Sequence, residues 1–342
     1  MKAIPNSWRN DDRQSTRDGW VVGLPWRESH PTLSFVVPCY NEEENITATI
    51  LEISGEARRL NLSFELILVD DGSSDRTVEI CRTMMRDHPI CVIRLSRNFG
   101  KEQAISAGLR AVAGDATVIL DADLQEPISY LETLVGHWKN GYEMVYAVRD
   151  CRKDEPWFKR GAVRTFYGLL NCATSTRIPP NARDFRLMDR KVVDALVALP
   201  ERNRFMKGLY SWVGFRTMEI SIELRPRQCG KSKFGARRLI SLALTGLTAF
   251  SDWPLRVWSG IGLILAALSI LSGIWIVLDT VIWGVITPGW ASLACAIVFL
   301  GGVQLISVGV LGEYVGRIYT EVKARPGHIV SETIDFRDEN DR

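Results

Sequence analysis

Four apolar runs in the first half of the chain each end in a polar turn and give way to a helical pattern. Leu33-Ser34-Phe35-Val36-Val37-Pro38 leads into Cys39-Tyr40-Asn41-Glu42 and a helix from Ile46 to Leu60. Phe64 to Val69 runs into Asp70-Asp71-Gly72-Ser73-Ser74-Asp75, with a helix from Thr77 to Arg86 behind it. Ile90 to Leu95 is followed by Ser96-Arg97-Asn98-Phe99-Gly100-Lys101 and a helix from Glu102 to Val112. The fourth run, Val118-Ile119-Leu120, stops at Asp121-Ala122-Asp123-Leu124-Gln125-Glu126-Pro127. Short β-branched runs closed by Gly, Asn and Asp read as buried strands. Their alternation with helices predicts an α/β fold with a mainly parallel sheet, flanking helices and right-handed crossovers. Val145 to Arg149 reads as a further strand that delivers an arginine, and Trp157 to Cys172 as an amphipathic helix.

Beyond residue 233 the pattern changes. Leu239, Ile240, Leu242, Leu244 and Leu247, with Arg237 and Arg238 before them, suit a helix lying in a membrane interface. Val257–Leu278 and Trp290–Leu311 carry no charge. Each is long enough to cross a hydrocarbon layer of ~30 Å. The loop from Asp279 to Gly289 has no Lys or Arg, whereas Arg237, Arg238 and Arg256 precede the first run and Arg317, Lys323 and Arg325 follow the second. The positive-inside rule therefore places both ends in the cytoplasm, and Trp283 and Trp290 suit interfacial anchors. Residues 1–31 are polar and lack the apolar core of a secretory signal. The expected division is a flexible extension (1–31), a cytoplasmic catalytic domain (32–233), an interfacial helix (234–253), a two-helix anchor in the inner membrane (254–316) and a cytoplasmic tail (317–342).

Composition narrows the chemistry. A formal charge of +2, with no basic stripe interleaved with aromatics, argues against nucleic acid as a partner. The seven cysteines are scattered without a C-x-x-C pair, and the four histidines are isolated from one another and from cysteine. Neither a zinc site nor a histidine-based triad is signalled, so any metal is expected on oxygen ligands.

The polar residues at the strand ends carry the functional signal. Tyr40, Glu42, Asp70, Asp71, Asn98, Lys101, Asp121 and Asp123 all follow strands, and so should gather along the crevice where open α/β sheets bind ligands. Asp121, Asp123 and the amide of Gln125 are hard oxygen ligands suited to Mg²⁺ or Mn²⁺, ions that usually arrive bridged to a substrate's phosphates. Taken alone, an Asp-x-Asp also fits a solvated turn. The turn after the second strand is not G-x-G-x-x-G, and Gly230-Lys231-Ser232 is no Walker motif, because Arg225 stands where the first glycine is needed.

The ordered set Pro38-Cys39-Tyr40-Asn41-Glu42, Val69-Asp70-Asp71-Gly72-Ser73-Ser74-Asp75-Arg76-Thr77, Arg97-Asn98-Phe99-Gly100-Lys101 and Asp121-Ala122-Asp123-Leu124-Gln125 resembles the successive motifs of family 2 inverting glycosyltransferases. Within it the chain is most similar to the polyprenyl-phosphate glycosyltransferases, relatives of dolichol-phosphate mannose synthase, over roughly Leu33 to Val330. Asp184-Phe185-Arg186-Leu187-Met188 resembles that group's G-D-F-R-L motif with Arg183 in place of glycine, which puts the local backbone in question because only glycine takes φ > 0 cheaply. Arg202 to Phe215 resembles its acceptor-side segment, with Lys207 where arginine is frequent. Arg225, Arg227, Gly230, Ser232 and Lys233 match its R-x-R-x-x-G-x-S-K loop.

The resemblance implies a GT-A type fold and a site with assigned roles. Pro38, Tyr40, Glu42, Asp70, Asp71, Lys101, Asp121 and Ala122 would hold the nucleotide sugar, and Asp121, Asp123 and Gln125 the Mg²⁺ or Mn²⁺. Arg149, Arg225, Arg227 and Lys233 would receive a lipid phosphate through fork-shaped or point-charge donors. Asp184, with Asp123 and Arg149, would be catalytic, Asp184 as general base or orienting carboxylate. A phosphate monoester is already largely ionised near neutrality, its second pKa being ~6, so alignment can matter more than proton removal. Asn98-Phe99-Gly100-Lys101-Glu102 is most similar to the bacterial bactoprenol glucosyltransferases, implying UDP-glucose and undecaprenyl phosphate at a membrane lipid surface and a homo-oligomer such as a tetramer. UDP-galactose, an amino-arabinose donor and GDP-mannose are the alternatives. A processive polysaccharide synthase would need a Q-x-x-R-W motif, which the chain lacks. A scaffold that only binds nucleotide sugars would show no turnover to lose when Asp123 is changed.

Overall fold

A computed structural model describes residues 31–149, 182–202, 204–225, scattered positions from 262 to 282, and 289–335. Its strands are β1 (Leu33–Cys39), β2 (Phe64–Asp70), β3 (Ile90–Leu95), β4 (Ala116–Ile119), β5 (Met144–Arg149), β6 (Ala182–Asp189), β7 (Thr217–Ile222) and β8 (Val330–Asp335). The helices are α1 (Ile46–Arg59), α2 (Thr77–Met84), α3 (Lys101–Ala111), α4 (Leu131–Lys139), α5 (Arg190–Ala198), α6 (Met206–Trp212) and α7 (Trp290–Val322). The first three expected helices thus form within two residues of their expected bounds.

Among the described residues the strands make one sheet in the order β7-β5-β6-β4-β1-β2-β3-β8. β1 pairs in parallel with β2 and β4, β2 with β3, and β5 with β7. β6 runs antiparallel to both of its neighbours, as does β8 to β3. The sheet is α/β with flanking helices as expected, but mixed rather than mainly parallel. The additions that mix it come after the four strand–helix repeats.

β1 and β2 lie at the centre and are buried almost throughout, which is why they read as mostly apolar runs rather than alternating ones, broken only by Ser34 and Glu65, which bond each other, before the terminal Asp70. Leu33, Phe35 and Val37 pack with Ile46, Ile50, Ile53 and Ala57 of α1. The other face of the sheet meets α3 so closely that a Cβ on Gly108 would lie 2.5 Å from Val36 Cγ1. Pairing of β1 with β4 ends at Val36 and Ile119. Pro38, which has no N–H to give a ladder, lies just beyond that point. There the two strands part and the crevice opens.

The chain divides into two compact units, residues 1–164, 178–233 and 326–342 in one, and 165–177 and 234–325 in the other. The first holds the sheet; the second contains α7. Phe299–Val322 within α7 is long and apolar enough to cross a membrane, and among the described residues it is the one such helix, where two were expected. Most of the first expected span lies outside the described residues; its described positions between 262 and 282 are helical. The interfacial helix of 234–253, the extension of 1–30 and the helix of Trp157–Cys172 also lie outside them. Within 317–342, read as a cytoplasmic tail, α7 continues to Val322 and β8 pairs with β3 at the sheet edge.

Candidate functional site

The turns after β1 and β2 hold each other. Asn41, at φ 53, donates its N–H to Ser73 Oγ at 2.9 Å, and its Oδ1 accepts the Ser74 N–H at 2.9 Å. Glu42 donates its N–H to Thr77 Oγ1 at 3.0 Å, Glu43 donates its N–H to Asp75 Oδ2 at 3.2 Å, and Glu43 Oε2 accepts the Arg76 N–H at 3.1 Å, so the turn before α1 is tied to the turn before α2. Glu42 Oε2 accepts from the Asn45 side chain at 2.8 Å. Tyr40 is left 38% exposed at the crevice mouth.

Asp70 and Asp71 are both buried, with different partners. Asp70 accepts the Ser73 N–H at 3.1 Å and pairs with Arg94 at 3.5 Å. Asp71 accepts the N–H groups of Phe99 and Gly100 at 2.7 and 2.9 Å. Burial pushes its pKa up, and those two bonds oppose the shift. Gly72, at φ +73, lets the β2 turn touch the β3 turn: a Cβ there would sit 2.6 Å from the Arg97 carbonyl carbon. The β2 turn therefore shapes the loop that launches α3, and Asp71 does so with both of its oxygens.

α3 begins with Lys101, whose ammonium pairs with Asp121 at 2.5 Å, and with Asp184. Burial disfavours the charge on Lys101, but the two carboxylates outweigh it and raise its pKa. For Asp184 burial likewise opposes ionisation; Lys101, Lys207 and Arg186 overcome it and hold the carboxyl well below the usual range. One cation therefore joins the acid at the end of β4 to the acid of β6.

The Asp121–Glu126 loop is fixed from several sides. Thr49 Oγ1 of α1 donates to the Ala122 carbonyl at 3.0 Å, Asp123 Oδ1 accepts the Gln125 N–H at 3.2 Å, and Leu124 takes φ 54. Arg183 adopts ordinary strand backbone inside β6, which answers the question raised by the missing glycine. Its guanidinium donates to Glu126 Oε1 at 3.0 Å and Gln125 Oε1 at 3.3 Å. Glu126 is 5% exposed, and burial, with Asp121 adding to it, pushes its pKa up to about 8.

Among the described residues no three His, Cys, Asp or Glu side chains form a ready metal cage. An ion of the Mg²⁺ class normally takes only one or two protein carboxylates and completes its shell with substrate phosphates and water. Asp121 and Asp123, with Gln125 beside them, are chemically suited to that arrangement.

On the acceptor side, Arg149 ends β5 at the sheet edge; its side chain lies outside the description, as do Arg227 and Lys233. Arg225 donates to both oxygens of Glu52 at 3.0 Å, and its N–H bonds the Gln125 carbonyl at 2.9 Å. The arginine loop thus starts against the Asp121–Glu126 loop, with Arg225 serving to attach it. Four residues of the site were given no role by the sequence, Arg183 being read only as the replacement of a glycine. Glu102 accepts the Met206 N–H at 3.0 Å, and burial, then Asp184, pushes its pKa up to about 7. Arg186 stacks 3.6 Å from the ring centre of buried Tyr210. Arg183 and Glu126 form the pair described above. A third acid directly after Asp-x-Asp-x-Gln was the available signal for Glu126; nothing local marks Glu102 as the partner of the Met206 N–H.

Comparison with known proteins identifies the family. Residues 34–197 match the family described as glycosyl transferase family 2, and residues 253–318 match the GtrB C-terminal hairpin. The chain is 44% identical over 302 residues to the bactoprenol glucosyl transferase of Shigella phage SfII, covering 88% of this chain and 98% of that protein. It is 42% identical over 299 residues to a prophage bactoprenol glucosyl transferase homolog of Escherichia coli K12, covering 87% and 98%. It is also 46% identical over 301 residues to an uncharacterized glycosyltransferase of Synechocystis, covering 88% and 95%. With the four strand-end motifs on one edge and this likeness over nearly the whole of its relatives' length, the chain belongs to glycosyl transferase family 2, among the bactoprenol glucosyl transferase-like enzymes.

Proposed function

We propose that the protein moves one glucose from UDP-glucose to undecaprenyl phosphate at the cytoplasmic face of the membrane, inverting the anomeric centre. The observation that carries the reading is the pairing of Asp121 and Asp184 through Lys101, which sets a donor-side and an acceptor-side carboxylate around one cation. The names of the relatives support glucose and the bactoprenol lipid.

In the reaction an oxygen of the lipid phosphate attacks the anomeric carbon in line, the bond from that carbon to the diphosphate oxygen breaks, and UDP leaves with the electron pair. Asp184, kept ionised, aligns the acceptor and takes any proton still on it. Lys101 is a point charge placed to meet the departing diphosphate. Asp123 and Gln125, with Asp121 nearby, would hold a Mg²⁺ or Mn²⁺ ion, whose contribution is Lewis-acid stabilisation of the leaving oxygens. Pro38, Tyr40, Glu42, Asp70 and Ala122 line the nucleotide end. Asp71 serves that end through the loop it holds. Arg149, Arg227 and Lys233 supply the lipid-phosphate site, with Arg225 fixing the base of their loop.

Two membrane crossings with both termini in the cytoplasm fit the connectivity. β7 and β8 belong to one sheet, on either side of α7 in sequence. If α7 crosses once, the chain between them must cross a second time, and the uncharged run Val257–Leu278 is suited to do so. A homo-oligomer remains part of the reading through the family resemblance.

The test offers detergent-solubilised protein a panel of labelled UDP- and GDP-sugars with undecaprenyl phosphate and Mg²⁺ or Mn²⁺. Glucolipid from UDP-glucose is expected, with loss in EDTA and a fall of at least about 10²-fold in Asp123→Asn. Preference for another donor would reassign the sugar. Equal turnover in EDTA and in the variant would overturn the metal site.

A further inference from the structure

Glu102 lies one residue after Lys101, yet it faces a different element. Its Oε2 accepts the N–H of Met206, the first residue of α6, at 3.0 Å. The next residue, Lys207, donates to the Ala182 carbonyl at 3.2 Å and lies close enough to Asp184 to help keep it ionised. The first turn of α3 therefore holds two separate structures: Lys101 grips the carboxylates, and Glu102 grips the segment that brings Lys207 up to the acceptor side. Gln103 adds a third tie, from its side-chain amide to the Arg202 carbonyl at 2.7 Å, just before α6.

We propose that Glu102 is a positioning residue for the acceptor: its bond to Met206 N–H sets α6 so that Lys207 faces Asp184, where the lipid phosphate must dock. This rests on the acceptor reading given above. A bond of this kind needs only an oxygen acceptor, so glutamine can replace glutamate, whereas alanine leaves the Met206 N–H without that partner. Lys207 gives the phosphate its charge only while the turn that carries it is held.

The test uses full-length enzyme in detergent and measures kcat and KM separately for UDP-glucose and undecaprenyl phosphate. Glu102→Ala should raise KM for the lipid phosphate about 10-fold and leave KM for UDP-glucose within about 2-fold, while Glu102→Gln stays within about 3-fold of wild type on both. Glu102→Ala combined with Lys207→Ala should be no worse for the lipid than Lys207→Ala alone. The proposal is overturned if Glu102→Gln is as impaired as Glu102→Ala, if both substrates suffer equally, or if the double variant is additive. Thermal midpoints identify a variant that has lost its fold, and the glutamine variant then decides alone. Absence of any transfer by wild type to undecaprenyl phosphate would count against the acceptor reading instead.

Discussion

At the scale of single residues, the site is set by which carboxyls keep their charge. Asp184 is held ionised by Lys101, Lys207 and Arg186 against the cost of its burial, whereas Glu102, beside the same Lys101 and Lys207, is raised to about 7 by burial and by the Asp184 charge. The signs of the linkage differ accordingly. A depressed carboxyl stabilises the fold above the unfolded pKa and loses that contribution as pH falls through the folded one. A raised carboxyl binds its proton more tightly in the folded state, so stability declines as pH rises from the unfolded value, near 4.5, through about 7. Glu102→Gln removes that decline. Its unfolding free energy should gain on wild type from pH 5 to about pH 7 and then level off, by a difference bounded at about 3 kcal/mol from the size of the shift, read in denaturant unfolding at each pH. Parallel curves for the two proteins would show that Glu102 does not titrate in this range. Asp184→Asn should cost at least about 10²-fold in kcat with a much smaller effect on UDP-glucose binding measured by calorimetry, because of the three cations around it only Lys101 belongs to the donor side.

At the scale of elements, the central strand–turn–helix units and β5 were legible and the last strand, β8, was not, for a physical reason. β1, β2 and β3 are mostly apolar runs buried almost throughout, with one polar interruption each before their ends (Ser34, Glu65 and Arg94), and each leads into residues whose chemistry favours a turn. β8, with the sequence Val330-Ser331-Glu332-Thr333-Ile334-Asp335, is a half-exposed edge strand beyond a membrane helix. It has no apolar run to reveal it, and its partner β3 is more than two hundred residues away in sequence. The site divides in the same way. The acids at strand ends were readable because a strand must end somewhere polar, while the Arg183–Glu126 and Glu102–Met206 contacts depend on which distant backbone folds over them. Gly108 shows how tightly one element is seated. A methyl there would press on Val36 and Val69 and push α3, with Lys101 at its start, away from β1 and β2. Gly108→Ala should lower stability by about 1–3 kcal/mol by overpacking and raise KM for UDP-glucose, seen as a reduced thermal midpoint with weaker donor binding. An unchanged midpoint would mean that the sheet face yields at Val36.

At the scale of the whole molecule, the sheet and the membrane segment constrain each other through connectivity. β8 can pair with β3 only if the chain that follows α7 returns to the side of the membrane where the sheet has folded. If α7 crosses the membrane, as proposed, that requirement makes the number of crossings even independently of charge bias, and the basic residues flanking the two apolar runs agree. A reporter fused after Arg342 should accordingly share the compartment of one inserted in the exposed turn at Asn61. The sharper consequence concerns deletions. Removing Val257–Leu278 leaves α7 as the sole crossing and sends β8 to the opposite side, so the β3 edge is left unpaired and the Arg82–Glu332 contact at 2.7 Å is lost. Replacing residues 254–322 with a long flexible linker restores the even count and lets β8 return. The smaller deletion should therefore be the more damaging one, with less folded protein by protease resistance than the larger replacement, although the larger one gives up the anchor. If the smaller deletion is instead as protease-resistant as wild type, with its C-terminus still in the cytoplasm, α7 does not cross the membrane and the two-crossing arrangement is wrong.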